Sequence, residues 1–208
     1  MIVGLDEKHL ADALEDIQGA AKGRVHGIIA DLGHEEGIQN VFKEVDKTFK
    51  KLDILINNAG LAYGSVTEGD YKDWQGIVNT NLLSYMACSS EAAKRMPRYG
   101  HIVNIGSMSA DTREGASSVY VATKSAIQGF SEALRKQLNK EGIKITLIEP
   151  GAVDTDMQEQ PHEEKLNKVR NLKMLKATDI AVSILYCLSQ PMRCDVVELK
   201  LRPHLQLI

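Results

Sequence analysis

Short apolar runs alternate with long amphipathic stretches along the whole of this chain, and most runs stop at small polar residues or glycine. Runs too short for a helix, rich in β-branched residues and closed by Asn, Gly or Ser, have the pattern of buried parallel strands; longer periodic stretches between them have the pattern of helices. Strands are expected near Ile2 to Val3, Val25 to Ala30, Ile54 to Ile56, His101 to Ile105, Ile143 to Ile148 and Val196 to Leu199. Helices are expected near Lys8 to Ala21, Glu36 to Phe49, Asp70 to Met96, Ser118 to Lys140 and Thr178 to Leu188. This alternation admits few solutions, and the one it favours is a parallel sheet with helices on both faces, in three layers. At 208 residues the chain can bury one sizeable core, and residues 1–208 read as one domain without internal repeat or low-complexity linker.

In an open sheet of this kind ligands bind in the crevice at the carboxyl ends of the strands, so the residues that close each strand carry the functional signal. The run His101-Ile102-Val103-Asn104-Ile105 ends in Gly106-Ser107, which puts the Ser107 hydroxyl at the crevice. Thirteen residues on, Tyr120 and Lys124 stand four apart in a helical stretch and therefore share one face. A phenol with a pKa of about 10 is a poor proton carrier near neutral pH, but an ammonium held beside it favours the phenolate. Taken alone, such a pair is commonly a solvated helix face with a packed ring. Its neighbours give it weight: Asp53-Ile54-Leu55-Ile56 stops at Asn57-Asn58-Ala59-Gly60, and Ile145 to Ile148 leads into Glu149-Pro150-Gly151-Ala152-Val153-Asp154-Thr155.

With N-N-A-G at Asn57 to Gly60, then Asn81, Ser107, Tyr120, Lys124 and P-G-x-V-x-T at Pro150 to Thr155, the chain resembles the short-chain dehydrogenase/reductase family. These motifs occur in the family's order and cover nearly all of the sequence. The resemblance implies a Rossmann-like, doubly wound parallel sheet and an enzyme that moves a hydride between NADP or NAD and a small carbonyl or alcohol. It implies that Tyr120 is the acid/base, that Ser107 binds the substrate oxygen, that Lys124 holds the nicotinamide ribose, and that Asn81 supports a water linking Lys124 to solvent. Read without the family, Asn81 is a helix amide bonded to neighbouring backbone. Asp31, with Leu32, is implied to bind the adenine, although an aspartate after a strand is more often a turn or a helix cap. Asn58, Ala59 and Gly60 would line the adenine ribose. Pro150, Gly151, Val153 and Thr155 would meet the carboxamide and pyrophosphate. Gly4 and Leu5 stand where an acid or arginine would decide between the two cofactors, so that choice stays open.

Family members open with a strand, a glycine-rich T-G-x-x-x-G-x-G turn and a helix, whereas Met1-Ile2-Val3-Gly4 here fall at the family's second strand. The first strand and helix are thus expected to be absent from the chain, which leaves unpaired strand edges beside a half-built cofactor site. A sequence that begins late is the expected explanation. The alternative is a catalytically inactive binding or scaffold protein that kept the fold and lost the nucleotide loop.

A net charge of −3 gives no reason to expect nucleic acid or an anionic membrane as partner. Cys88, Cys187 and Cys194 show no metal spacing and cannot all pair, which suits a reducing, cytoplasmic setting. His34, His101 and His162 lack partners at metal spacing, and no metal is expected. Ser109 rivals Ser107, but only Ser107 has the family's distance from Tyr120. Glu149 belongs to the crevice wall without an assigned role, and Tyr85, Met86 and Cys88 read as helix packing. The stretch 158–173 reads as a mobile cover over the substrate or, equally, as an exposed helix and loop. By resemblance, the helices from Asp70 and Ser118 pack against their copies in a homodimer or homotetramer, with Ala87, Ala92, Ala93, Ala126, Phe130, Ala133 and Leu134 as small and apolar positions there; the same positions can instead face the chain's own sheet, as part of each helix must.

Overall fold

The structure, a computed structural model, describes residues 1–20, 22–158 and 160–206. The chain opens with β1 (Ile2–Gly4), α1 (Glu7–Ala20), β2 (Gly27–Ile29), α2 (Glu35–Thr48) and β3 (Ile54–Asn57). A long helix follows as α3 (Tyr71–Val78), a π-helical turn (Asn79–Leu83) and α4 (Ser84–Ala93). The remainder is β4 (His101–Ile105), α5 (Ser109–Thr112), α6 (Ser118–Leu138), β5 (Lys144–Pro150), β6 (Val153–Asp154), α7 (His162–Arg170), β7 (Leu175–Lys176), α8 (Ala177–Leu188) and β8 (Glu198–Leu201).

Local chemistry accounts for several boundaries. Asp70 caps α3 by accepting from the backbone N–H groups of Lys72 and Asp73, while the Asp73 carboxylate accepts from Asp70 N–H, a reciprocal capping box. A helical turn after α6 ends at Gly142, whose φ of 78° lies in the left-handed region that glycine enters without strain.

The strands pair in parallel as β3-β4-β5-β8 and, separately, as β1-β2, with a short β6-β7 ladder beside the crevice. Successive residues alternate between the two faces of the sheet. Leu55, Ile102, Ile145 and Leu147 meet α2, α4 and α6 on one face. Val103, Ile105 and Ile148 meet α8 on the other. The β1-β2 pair joins the first face through Val3 and Ile28, which pack with α2 and α4, and α1 lies against Gly4 and Gly27 through Leu10. The result is a three-layer, Rossmann-like α/β fold.

The expected unpaired edges are there: among the described residues β1 bonds only to β2 and β3 only to β4. Ile54 and Ile56 are consequently 45% and 43% exposed, on a face that no helix covers.

Other expectations shift. The helix expected at Asp70 to Met96 is interrupted by the π turn, and the end expected at Ala21 lies outside the described residues. The proposed cover forms α7, fastened by buried Lys165, which donates to the Thr155 carbonyl at 2.9 Å and lies 3.5 Å from the Asp154 carboxylate. Glu159 of that stretch lies outside the described residues. The assembly face is also altered. Ala92 and Leu134 are buried in the chain's own core, Ala87, Ala93 and Phe130 pack against it, and of the seven residues only Ala133 is exposed.

Candidate active site

The ends of β4 and β5 build one wall of a crevice. Gly106 N–H donates to the Ile148 carbonyl at 2.7 Å and Met108 N–H to the Pro150 carbonyl at 2.9 Å, which ties the two strand-end loops together. Helix α6 crosses this wall with Tyr120 and Lys124 on its crevice side. A cavity of about 1220 Å³ is lined by Ser107, Tyr120 and Lys124 together with Asn58, Pro150, Gly151, Val153 and Thr155. That volume exceeds an ordinary drug-sized pocket and suits a nucleotide end plus a small substrate.

The Ser107 oxygen accepts from the Ser109 N–H at 3.1 Å and its hydroxyl is a hydrogen-bond partner of Tyr120. Ser109 thus serves through its backbone. Lys124 is 3% exposed and donates to the Ile105 carbonyl at 2.9 Å, with its Nζ 5.6 Å from the Tyr85 ring centroid and 5.7 Å from that of Tyr120. Burial lowers the Lys124 ammonium to about 8, opposed by the charge of Glu149.

Tyr120 departs from the expectation that its lysine neighbour lowers it. Burial pushes the phenol above its usual value, the bond with Ser107 opposes this, and the Glu114 carboxylate adds to it. The reason is geometric: the ammonium is turned to the Ile105 carbonyl, so desolvation of the phenol prevails.

Asn81 is wholly buried behind the cavity. Its Oδ1 accepts from Leu61 N–H at 2.7 Å and its Nδ2 donates to the Leu61 carbonyl at 2.8 Å. The side chain is therefore a brace between the helix and a loop twenty residues before it, not a bond to neighbouring backbone. The wide π turn around it is the kind of local irregularity that frequents functional sites.

Asp31, Leu32, Ala59 and Gly60 do not line the cavity. Asp31 accepts from Gly33 N–H at 2.8 Å and bonds His34 Nδ1 at 2.9 Å, an arrangement that shapes the turn before α2. Leu32 packs with the first core cluster. At Gly60 a Cβ would meet Asn81 Oδ1 at 3.5 Å and Lys124 Nζ at 3.8 Å, ordinary contact distances that place this glycine just behind the lysine.

Three contributors escaped the sequence reading. Tyr85, read as packing, is buried but also donates to the Ile105 carbonyl at 3.2 Å, so it and Lys124 share one acceptor. Its position four residues after Asn81 is the signal that could have found it. Asn57 joins Ser89, Asn104 and Ser131 in a buried hydrogen-bonded chain beneath the site, at 2.9 to 3.1 Å. Lys165 fastens α7 to the loop after β5, a role no pattern of polar residues announces.

Among the described residues no cluster of His, Cys, Asp or Glu is placed to hold a metal ion, and no helix is long and apolar enough to cross a membrane.

Comparison with known proteins matches the short chain dehydrogenase family model over residues 1–166. An uncharacterised oxidoreductase of Staphylococcus saprophyticus is 32% identical over 206 residues, covering 98% of this chain and 86% of the relative. One from Staphylococcus aureus is 31% identical over 196 residues, covering 92% and 82%. Among solved structures, a short chain dehydrogenase from Burkholderia cenocepacia in complex with NADP superposes with a TM-score of 0.85 at 26% identity, covering 97% of this chain and 84% of that one. A short-chain dehydrogenase/reductase from Serratia marcescens gives 0.83 at 27%, with the same coverage.

Proposed function

The chain belongs to the short-chain dehydrogenase/reductase family, and we propose on that premise that it is an oxidoreductase interconverting a small carbonyl and its alcohol with NADP or NAD. The observation that carries this reading is the convergence of Ser107, Tyr120 and Lys124 on one cavity from the end of β4 and one face of α6.

The residues present fit a nicotinamide riboside. Tyr120, Lys124, Asn58 and Thr155 offer hydroxyls, an ammonium and an amide beside the backbone turn at Pro150 and Gly151, which is a donor set suited to a ribose and a carboxamide. When bound, the nicotinamide supplies or takes the hydride. Tyr120 gives its proton to the developing alkoxide in reduction and recovers it in oxidation. Ser107, held by Ser109, donates to the same oxygen and stabilises the charge that builds there. Lys124 turns from the Ile105 carbonyl to the ribose and, as a cation, eases loss of the Tyr120 proton. Asn81 fixes the π turn, whose main chain would hold any water that passes protons from Lys124. Asp31, Leu32, Ala59 and Gly60 are assigned to the adenine side.

We assign the protein to the cytoplasm on its free cysteines, Cys88, Cys187 and exposed Cys194, and to a single domain. A homodimer or homotetramer is supported by exposed Leu83 and Met86 on the helix pair and by Val182, Leu185 and Tyr186 on α8.

Titration with NADPH and with NADH, followed by nicotinamide fluorescence, tests cofactor binding. Tyr120→Phe should then lower turnover at least ~10²-fold with cofactor affinity nearly unchanged. Near-normal turnover in that variant would remove Tyr120 from the mechanism. The second reading is an inactive binding or scaffold protein, and failure of both nucleotides to bind would select it.

A further inference from the structure

Glu149 is the last residue before Pro150 in β5 and is fully buried, with 0% of its surface exposed. Its Oε2 accepts from Gln128 at 3.2 Å and lies 3.5 Å from Lys200 Nζ, whereas Oε1 has no hydrogen-bond partner. A buried carboxylate with one bare oxygen costs stability unless something offsets it.

Lys200 is a poor candidate for that role. It is also paired with Glu198 at 2.9 Å and with Asp111, so three carboxylates share one half-exposed ammonium. The buried cation on this wall of the crevice is Lys124, one helical turn before Gln128 on the same face of α6. The two charges flank one peptide unit. Lys124 donates to the carbonyl of Ile105, and a Cβ at the adjoining Gly106 would fall 3.1 Å from Glu149 Oε1 and 3.0 Å from its Cγ. Glycine at 106 is what lets the carboxylate come so close to that peptide.

We propose that Glu149 is the counter-charge of the Lys124 ammonium, a positioning residue that acts on the acid/base pair through Lys124 without touching substrate or cofactor. The consequence for catalysis rests on the function proposed above; the coupling itself does not.

The groups facing this pair are Asp111 on α5, Tyr120 and Gln128 on α6, Tyr85 on α4, and Glu198 and Lys200 on β8. Burial raises the Glu149 carboxyl, opposed by Gln128 and Lys200 and reinforced by Asp111 and Glu198, while Lys124 sits at about 8. Between these two titrations both groups are charged, and in that window Lys124 can favour the Tyr120 phenolate. Loss of the carboxylate lets the ammonium shed its proton at lower pH, which closes the window from its alkaline side.

The test is NMR titration of the full chain labelled with ¹³Cε-lysine, with the Lys124 signal assigned by its loss in Lys124→Met. In Glu149→Gln the Lys124 midpoint should fall by about one pH unit, the order expected when a unit charge acts through a partly screened interior. The wild-type signal should also show a second, smaller step at the lower pH where Glu149 protonates. This step needs no variant and so stands even if Glu149→Gln does not fold. An unmoved midpoint in a folded variant, or a single-step wild-type titration, overturns the proposal. A parallel pH profile of NADPH oxidation with benzaldehyde as probe should lose its alkaline limb about one unit earlier in the variant. Absence of NADPH oxidation in both proteins, with the NMR shift present, would count against the proposed function and leave the counter-charge in place.

Discussion

The two halves of the sheet differ in how completely they are enclosed. Every residue of β4 and β5 is buried, β4 lies between two hydrogen-bonded neighbours, and helices cover both faces. In β3 only Asn57 is buried, and in the β1-β2 pair no residue is. The groups assigned to proton transfer all hang from the enclosed half, because Ser107 follows β4, Glu149 ends β5, and α6 packs against both strands. The residues assigned to the adenine side, Asp31 and Leu32, follow the open half. The residues assigned to proton transfer are therefore held by tight packing, whereas those assigned to the adenine side follow the least protected strands.

The largest effect that tests this contrast is a matched pair of truncations. Ile145→Ala, at a position 2% exposed, should cost about 2–5 kcal/mol in urea unfolding, whereas Ile54→Ala, 45% exposed, should cost less than about 1 kcal/mol. Equal costs would show that the open half is as well packed in solution as the enclosed one. Amide exchange sharpens the same point, with β1 and β2 exchanging well before β4 and β5.

A second effect comes from His101 on β4, whose ring bonds Thr146 Oγ1 at 2.8 Å. Burial first and the Lys144 charge second push its pKa from 6.5 down to about 4. The unfolded chain takes up this proton near 6.5 and the folded chain only near 4, so the associated stability is intact above 6.5 and is lost as pH falls toward 4. The loss should reach about 3 kcal/mol, and His101→Gln should flatten most of that slope when urea midpoints are compared from pH 7 to pH 4. An unchanged slope would mean that the open half governs acid unfolding.

The smallest effect is expected at the cover. Lys165→Met keeps the aliphatic stem and removes the bond to Thr155, so stability should drop by about 1 kcal/mol and substrate KM should rise severalfold, with turnover less affected. Limited proteolysis within 158–173 should quicken in step. A variant as resistant as the parent would leave Lys165 with no part in holding α7.

Much of the enclosed half was legible in the sequence because its signals are local. The run His101 to Ile105 coincides with β4, and Asp70 announces α3 through its capping side chain. The π turn at Asn79–Leu83 had no such marker, since neither proline nor glycine interrupts the helix there. Helix α7 was obscure because it presents no apolar stripe and is fastened by a lysine, a residue that pattern reading assigns to solvent. The direction in which Tyr120 is shifted depends on burial and on where the Lys124 ammonium turns, neither of which spacing along a helix can convey. Phe130 likewise seemed free for a partner, yet it packs into two of the chain's own core clusters.

The bond from Lys165 to the Thr155 carbonyl ties α7 to the loop after β5. Thr155 borders the cavity on the side assigned to the nicotinamide, and Lys165 belongs to α7, the helix in the stretch proposed as a cover. Any displacement of α7 is thereby felt at the loop after β5, and any ligand that orders that loop steadies α7. Because such linkage is reciprocal in free energy, a ligand that orders this loop should steady α7 by the same factor as the docking of α7 tightens that ligand.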